Sequence, residues 1–168
     1  MTAKEVIAHF NLTPHPREGG FYRETYRAAD AIPASALPGR YSGPRAASTA
    51  IYYLLTPTTI SRLHRVRSDE LWHFYMGDPV TMLLLHPDGS GRTVTLGHEI
   101  LHGQYVQYPI PAGTWFGTRL HRGENFALLG ITVAPGFDFA DFEIGRREEL
   151  IAQYPGWREA ITALTVEK

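Results

Sequence analysis

The chain has 168 residues, which fits one domain and allows a core that needs no disulfide or structural metal. It contains no cysteine, so disulfide bonds and thiolate metal sites are excluded. The formal net charge is −1 and acidic and basic residues are intermixed, so the basic patch that nucleic acid binding needs is absent. No apolar run approaches the roughly 18 residues of a membrane span, and the first residues do not form a signal peptide, so we expect a cytoplasmic protein.

The first elements are a short helix, a strand and a long loop. Residues 2–10 are predicted to be helical, because Thr2 and Glu5 have the spacing of a capping box and three apolar residues follow on one face. Residues 21–27 alternate aromatic and polar side chains, which predicts a strand. Residues 28–47 are rich in alanine, proline, glycine and serine and are predicted to form the loop.

Short apolar runs separated by turn signals then follow one another, a pattern typical of a β-sandwich or barrel. The predicted strands lie near residues 49–55, 61–66, 71–76, 80–86, 92–96, 105–110, 115–120 and 126–133. Helical spacing returns at residues 146–154, and a second short helix is predicted after the break at Pro155 and Gly156.

Two segments resemble the two halves of the cupin signature. The first is HRVRSDELWHFYMG, from His64 to Gly77, and the second is PAGTWF, residues 111–116. Cupins bind a metal through three histidines and a glutamate. In this sequence His64 and Glu70 match one histidine and the glutamate, but Val66 and Phe116 occupy the other two positions. Neither side chain coordinates metals, so the remaining pair is below what most bound metals require, and we expect no cofactor.

His73 offers one route back to a metal site. Strict alternation along the strand places Trp72 with Glu70 on one face and His73 on the other, but a bulge would turn His73 inward. A divalent transition metal held by His64, Glu70 and His73 is therefore one alternative. The other is that these side chains form a hydrogen-bonded polar cluster inside the barrel.

The resemblance is closest to the DUF985 subfamily of cupins. It is carried by five blocks in order along the chain, at residues 12–27, 48–55, 61–80, 110–117 and 133–145. It implies an all-β fold, a double-stranded β-helix (jelly-roll barrel) with a short N-terminal helix and C-terminal helices, similar to that of the deoxysugar epimerases. It also implies one domain over residues 1–168, with the core barrel at about residues 20–145, and a homodimer. An aromatic-rich N-terminal strand with an exposed edge fits dimer contact.

His64, Glu70 and Tyr22 are the candidate catalytic residues. An imidazole titrates near neutral pH, and Glu70 could fix its tautomer and stabilise its charged form. Deoxysugar epimerases use such a pair to remove a proton beside a carbonyl, with Tyr22 as the candidate acid here. The alternative is that His64 and Glu70 are satisfied members of an interior hydrogen-bond network.

The candidate ligand-binding residues are mostly aromatic. They are Glu24, Trp72, His73, Phe74, Trp115 and Phe116. Aromatic walls with a few polar groups describe a ligand pocket, although such side chains more often fill a small barrel. Tyr22 and Glu24 share one strand face after two glycines, so they either reach the cavity or belong to a bulged edge strand at the dimer contact. The remaining histidines are expected at the surface: His9, His15, His86, His98, His102 and His121.

These patterns predict a protein that binds a small molecule inside its barrel. The first hypothesis is a metal-independent isomerase or epimerase that acts on a sugar-like or nucleotide-linked carbonyl compound by histidine-mediated proton transfer. The second is a non-catalytic ligand-binding or sensing protein, and the third is a metal-dependent cupin enzyme. The apolar replacements at Val66 and Phe116 favour a ligand with a flat or hydrophobic part.

Overall fold

The structure is a computed structural model that describes residues 1–122 and 125–166. Positions 123, 124, 167 and 168 of the predicted 1–168 domain lie outside the described residues. The helices are α1 (Ala3–Phe10), α2 (Arg147–Gln153) and α3 (Arg158–Ala163). The strands are β1 (Thr13–Pro14), β2 (Phe21–Arg27), β3 (Ala31–Ile32), β4 (Arg45–Ala46), β5 (Thr49–Leu55), β6 (Ser61–Arg65), β7 (Asp69–Gly77), β8 (Val80–Leu85), β9 (Gly91–Leu96), β10 (Gln107–Ile110), β11 (Trp115–Leu120), β12 (Ala127–Ala134) and β13 (Glu143–Ile144).

Two antiparallel sheets face each other and form the predicted jelly roll. One has the strand order β1-β2-β5-β12-β7-β10 and the other has the order β13-β6-β11-β8-β9. Their inner faces meet in a core that includes Tyr53, Trp72, Phe116 and Leu129, all fully buried. Burial of these alternating side chains fixes the register, since a slip of one residue would turn the apolar set outward. The predicted fold class is confirmed.

The helices cover the outer faces of the two sheets. Helix α1 lies on the first sheet, where Val6 packs with Leu54 and Leu128. It begins with the predicted capping box, in which the Glu5 amide donates to the Thr2 hydroxyl at 3.3 Å and the Thr2 amide donates to the Glu5 carboxylate at 2.7 Å. Helices α2 and α3 cover the second sheet. No helix in the described ranges is long and apolar enough to cross a membrane.

The predicted loop at residues 28–47 contains the short β3–β4 pair and is anchored at one buried point. Arg45 in β4 donates from Nε and Nη2 to the two carboxylate oxygens of Asp141, each at 2.7 Å. Both side chains are at most 5% exposed. This bidentate pair holds the loop against the turn at residues 137–142, next to one end of the barrel.

Candidate functional site

A cavity of about 680 Å³ opens over the inner face of the first sheet. Strands β2, β5, β7 and β12 supply its floor, and the segments at residues 11–18 and 137–139 close its sides. Its polar groups include His15, Glu18, Tyr22, Glu24 and Glu70. Its volume lies within the range that small-molecule sites usually have.

Glu18 and His64 form a close polar contact at the buried end of this cavity. Glu18 Oε2 lies 3.2 Å from His64 Nε2, and both side chains are below 10% exposed. His64 Nδ1 lies 2.7 Å from the carbonyl oxygen of Arg62, which accepts only, so Nδ1 carries a proton. Burial raises the pKa of Glu18 and lowers the pKa of His64. Burial thus favours the uncharged form of both side chains, a neutral imidazole beside a protonated carboxyl group.

Glu70 is the second buried carboxyl group in the cavity wall. Burial raises its pKa to about 7, while the charge of His64 and a hydrogen bond from the Trp72 indole act in the opposite direction. The indole donates to Glu70 Oε2 at 2.8 Å and fixes the direction of the carboxyl group. The charge of Glu70 also raises the pKa of His64 against the effect of burial. Glu18, His64 and Glu70 thus form one cluster whose protons interact.

His64 itself does not line the cavity. It is 1% exposed and lies between the rings of Phe116 and Phe142, at centroid distances of 4.3 Å and 5.0 Å. The carboxyl groups of Glu18 and Glu70 lie in the wall instead. The sequence hypothesis that His64 contacts a substrate directly is corrected accordingly: His64 can reach the cavity only through a carboxyl group.

The wall near the opening contains His15, Tyr22 and Glu24. His15 Nδ1 accepts from the amide of Glu18 at 3.0 Å, and its ring contacts Tyr22 at 4.7 Å. His15 is thus half-buried in the wall and not a surface residue, which corrects the expectation for this histidine. Tyr22 and Glu24 both line the cavity, which was one of the two alternatives for this strand face. Glu24 is exposed and forms a bidentate ion pair with Arg27.

The aromatic residues proposed as ligand contacts lie elsewhere. Trp72, Phe74 and Phe116 fill the core between the sheets and do not line the cavity. Trp115 lies on the outer face of the second sheet, where α2 and α3 cover it. The aromatic wall is formed by Tyr22 with two residues that the sequence did not assign to a pocket, Phe137 and Phe139.

The cupin metal site does not fit this arrangement of donors. His73 lies on the opposite face of β7 from Glu70 and Trp72, where it contacts Thr132 and Gln107. The set His64, Glu70 and His73 is therefore not brought together. Both ring nitrogens of His64 are engaged, and no group of three potential ligands occurs in the described part of the chain. The residues present do not form a metal centre, and no step is derived through one.

Glu18 was not identified as a site residue from the sequence. It lies in a loop before β2, where no periodicity shows which way a side chain points. The signal that could have identified it is local: a glutamate directly before Gly19 and Gly20, both with positive φ. A Cβ at Gly19 would lie 2.4 Å from the carbonyl oxygen of Ile60, so only glycine lets the loop approach the barrel this closely.

Comparison with known proteins identifies the class of the chain. A profile of the family described as Cupin superfamily (DUF985) matches residues 4–145. The chain belongs to this family. A curated relative, uncharacterized protein YML079W of Saccharomyces cerevisiae, is 29% identical in an alignment of 166 positions that covers 94% of this chain and 82% of the relative.

Solved structures support the same assignment. Protein SO0799 from Shewanella oneidensis is 33% identical, with a TM-score of 0.89 over 100% of this chain and 99% of that one. A hypothetical protein from Leishmania major is also 33% identical, with a TM-score of 0.88 over 99% of this chain and 100% of that one. Oxalate decarboxylase from Bacillus subtilis is 14% identical, with a TM-score of 0.54 over 95% of this chain and 38% of that one, which shows a shared fold alone.

Proposed function

We propose that this protein binds a small carbonyl compound in the barrel cavity and catalyses its isomerisation or epimerisation by proton transfer. The observation that carries the proposal is the cluster of Glu18, His64 and Glu70 at the buried end of a cavity large enough for a small molecule. A carboxyl group with a pKa of about 7 is present in both protonation states near neutral pH. That is the condition under which one group serves well as a general base and then as a general acid.

The reaction moves one proton and leaves the oxidation state of the compound unchanged. The carboxylate of Glu70 removes a proton from the carbon next to the carbonyl, and the electron pair of the C–H bond forms an enolate. A donor hydroxyl, from Tyr22 or the protonated Glu18, stabilises the enolate oxygen. Return of the proton from Glu70 to the neighbouring carbon gives the isomer. Donation of a proton by Tyr22 to the opposite face of the original carbon gives the epimer, after which Glu70 loses a proton to solvent and Tyr22 regains one. Burial raises the pKa of Glu18 and so favours its protonated form.

The wall defines the type of compound that this cavity accepts. Tyr22, Phe137 and Phe139 offer flat apolar surface, while Asn11 and Thr13 offer polar groups near the opening. A sugar-like or nucleotide-linked ligand presents both kinds of surface. The acidic groups at the buried end disfavour a ligand that places its own carboxylate or phosphate there, because two neighbouring carboxyl groups already resist ionisation at this point.

The test combines a binding screen with an exchange reaction. Keto sugars, nucleotide sugars and aromatic acids are screened by thermal shift, because a ligand that binds the folded state raises the melting temperature. Compounds that stabilise the protein are then incubated in D2O, and deuterium next to the carbonyl is measured by NMR. We expect Glu70→Gln to slow this exchange about 100-fold, the usual contribution of a general base. Glutamine keeps the shape and can still accept from the Trp72 indole.

A matched control is Glu149→Gln, which removes a carboxylate from the exposed face of α2. Its exchange rate should equal that of the wild type. Stabilisation without exchange would contradict the catalytic proposal and favour a ligand-binding or sensing protein. If no compound stabilised the wild type, the proposed ligand class would be wrong.

A further inference from the structure

A second groove, of about 550 Å³, lies on the other side of the segment at residues 137–143. Residues 137–139 line the barrel cavity, whereas residues 140–143 line this groove. The opposite wall contains Arg40, Arg65 and Arg67. We propose that this groove is a separate binding site for an oxyanion, specifically the phosphate group of a small molecule. This inference does not depend on the function proposed for the barrel cavity.

The charges that line the groove do not cancel. Asp141 is neutralised by Arg45, and Glu143 is neutralised by Arg65, with an N–O distance of 2.7 Å in each pair. Arg40 and Arg67 have no carboxylate partner within residues 1–122 and 125–166. Two guanidinium groups therefore contribute uncompensated positive charge to one concave surface. Positive charge in a cleft concentrates field lines and attracts anions.

The guanidinium groups of Arg40 and Arg67, which have no ion-pair partner among the described residues, are held in place by other contacts. Arg40 Nε donates to the carbonyl of Arg67 at 2.7 Å, and Arg67 Nη1 donates to the carbonyl of Arg40 at 2.6 Å. The Tyr41 hydroxyl donates to the same carbonyl of Arg67 at 2.9 Å, and the Arg40 guanidinium lies 4.9 Å from the Tyr41 ring centroid. A guanidinium has five N–H donors, so each arginine keeps further donors for a ligand. Less side-chain entropy is lost on binding when these groups are already ordered.

This arrangement fits phosphate better than a single carboxylate. Each guanidinium can present a planar fork of donors to two oxygens, and phosphate has enough oxygens to bind two forks together. Val66, Ala112 and Phe142 form an apolar part of the same wall. A groove of this volume holds more than an inorganic ion, and small-molecule sites usually combine apolar walls with a few charged groups. We therefore infer a phosphorylated small molecule as the ligand.

The test is a calorimetric titration at constant ionic strength with three probes: inorganic phosphate, glucose 6-phosphate as a phosphomonoester, and glucose as the uncharged control. The wild type should bind the phosphomonoester saturably and glucose not at all. The double variant Arg40→Gln/Arg67→Gln should weaken this binding at least about tenfold, since each charge-assisted pair is lost. Tighter binding of glucose 6-phosphate than of inorganic phosphate supports a phosphorylated small molecule as the ligand. Equal binding of the two would contradict that part of the inference and show that the groove recognises the phosphate group alone.

The control variant is Arg119→Gln, which removes one exposed positive charge outside the groove. Arg119 lies near the end of β11, and Trp115, which contacts Arg65 of the groove, lies at the start of that strand. The control variant should bind like the wild type. Arg67→Lys keeps the charge but loses the fork, so it should weaken binding measurably and serves if the double variant does not fold. Equal affinities in all variants, or no saturable binding to the wild type up to about 10 mM, would overturn the proposal.

Discussion

At the scale of single residues, the site depends on two buried carboxyl groups that form no ion pair with a lysine or arginine in the described part of the chain. Glu18 and Glu70 are 6% and 5% exposed, and His64 is the ionisable side chain placed between their charges. A buried pair of this kind resists ionisation because each charge is poorly solvated and repels the other. The pKa of Glu70 is about 7 as a result, so this group can give or take a proton near neutral pH, which is what acid–base chemistry needs.

Glu70 should make the stability of the protein depend on pH. Its folded pKa of about 7 lies above the ordinary value of 4.5, so between these values the unfolded chain has already lost a proton that the folded protein retains. The free energy of unfolding therefore falls as pH rises past 4.5, by up to about 3 kcal/mol above pH 7. Glu70→Gln has no carboxyl group at this position, so its free energy of unfolding does not fall for this reason as pH rises. We expect its stability relative to the wild type to increase by about 2 kcal/mol between about pH 5 and pH 8 in urea unfolding.

The same unfolding series with Glu149→Gln provides the baseline for that comparison. Glu149 is exposed on α2, so its removal should shift stability by a nearly constant amount across the pH range. The pKa shifts of Glu18 and His64 are present in the wild type and in Glu149→Gln and contribute equally to those two curves. A constant difference between Glu70→Gln and the wild type would show that Glu70 ionises normally.

The sequence predicted side-chain directions correctly where the alternation of a β-strand applied. Alternation along β7 correctly placed Glu70, Trp72 and Phe74 on one face and His73 on the other. The register shift in this strand lies further on, opposite Leu128 and Leu129, so it does not turn His73 inward.

The prediction failed for neighbouring aromatic residues and for loops. Trp115 and Phe116 point to opposite faces of β11, and both faces are buried because helices cover the outer one. Sequence alternation alone does not show which of two apolar residues faces the interior. The contact between Glu18 and His64 joins residues far apart in the chain, and it follows from tertiary packing of a loop.

At the scale of elements, the segment at residues 137–143 separates the barrel cavity from the arginine-lined groove. Its Phe142 stacks on His64, and its Asp141 is held by Arg45. The segment thus contacts the buried cluster on one side and the loop that contains Arg40 on the other. The segment forms a 3₁₀ turn followed by β13. The sequence did not indicate that the two cavities share this segment as a wall.

Breaking the Arg45–Asp141 pair should destabilise the protein. Asp141→Asn leaves a guanidinium that is 5% exposed without a charge partner. We expect a loss of about 3–5 kcal/mol in the free energy of unfolding by urea, the usual effect of removing one partner from a buried pair. The double variant Arg45→Met/Asp141→Leu should recover most of it, because no buried charge remains. A loss for Asp141→Asn below about 1 kcal/mol would indicate that the pair behaves as a solvent-exposed one.

At the scale of the whole molecule, the fold could be predicted from the sequence almost completely. The short apolar runs and the turn signals between them specify many short strands. Strands β2 and β5–β12 each lie within about two residues of their predicted bounds, whereas the two-residue strands β1, β3 and β4 have no predicted counterpart. The family resemblance supplied the way these strands pair, which periodicity alone does not determine.

The homodimer stays a prediction. The outer face of the first sheet and the β9–β10 connection expose large apolar side chains that a second copy could cover, among them Tyr26, Tyr75, Leu101 and Tyr105.

The most direct test of the account is the titration of Glu70 itself. Glutamate side chains labelled with ¹³C at the carboxyl carbon are followed by NMR across the pH range, and the signal absent from Glu70→Gln identifies Glu70. The account predicts a midpoint near 7 for this carboxyl group, with a further shift when a cavity ligand is added. A midpoint close to the ordinary value of 4.5 would contradict it, because an easily ionised, well-solvated Glu70 cannot belong to the buried proton-transfer cluster.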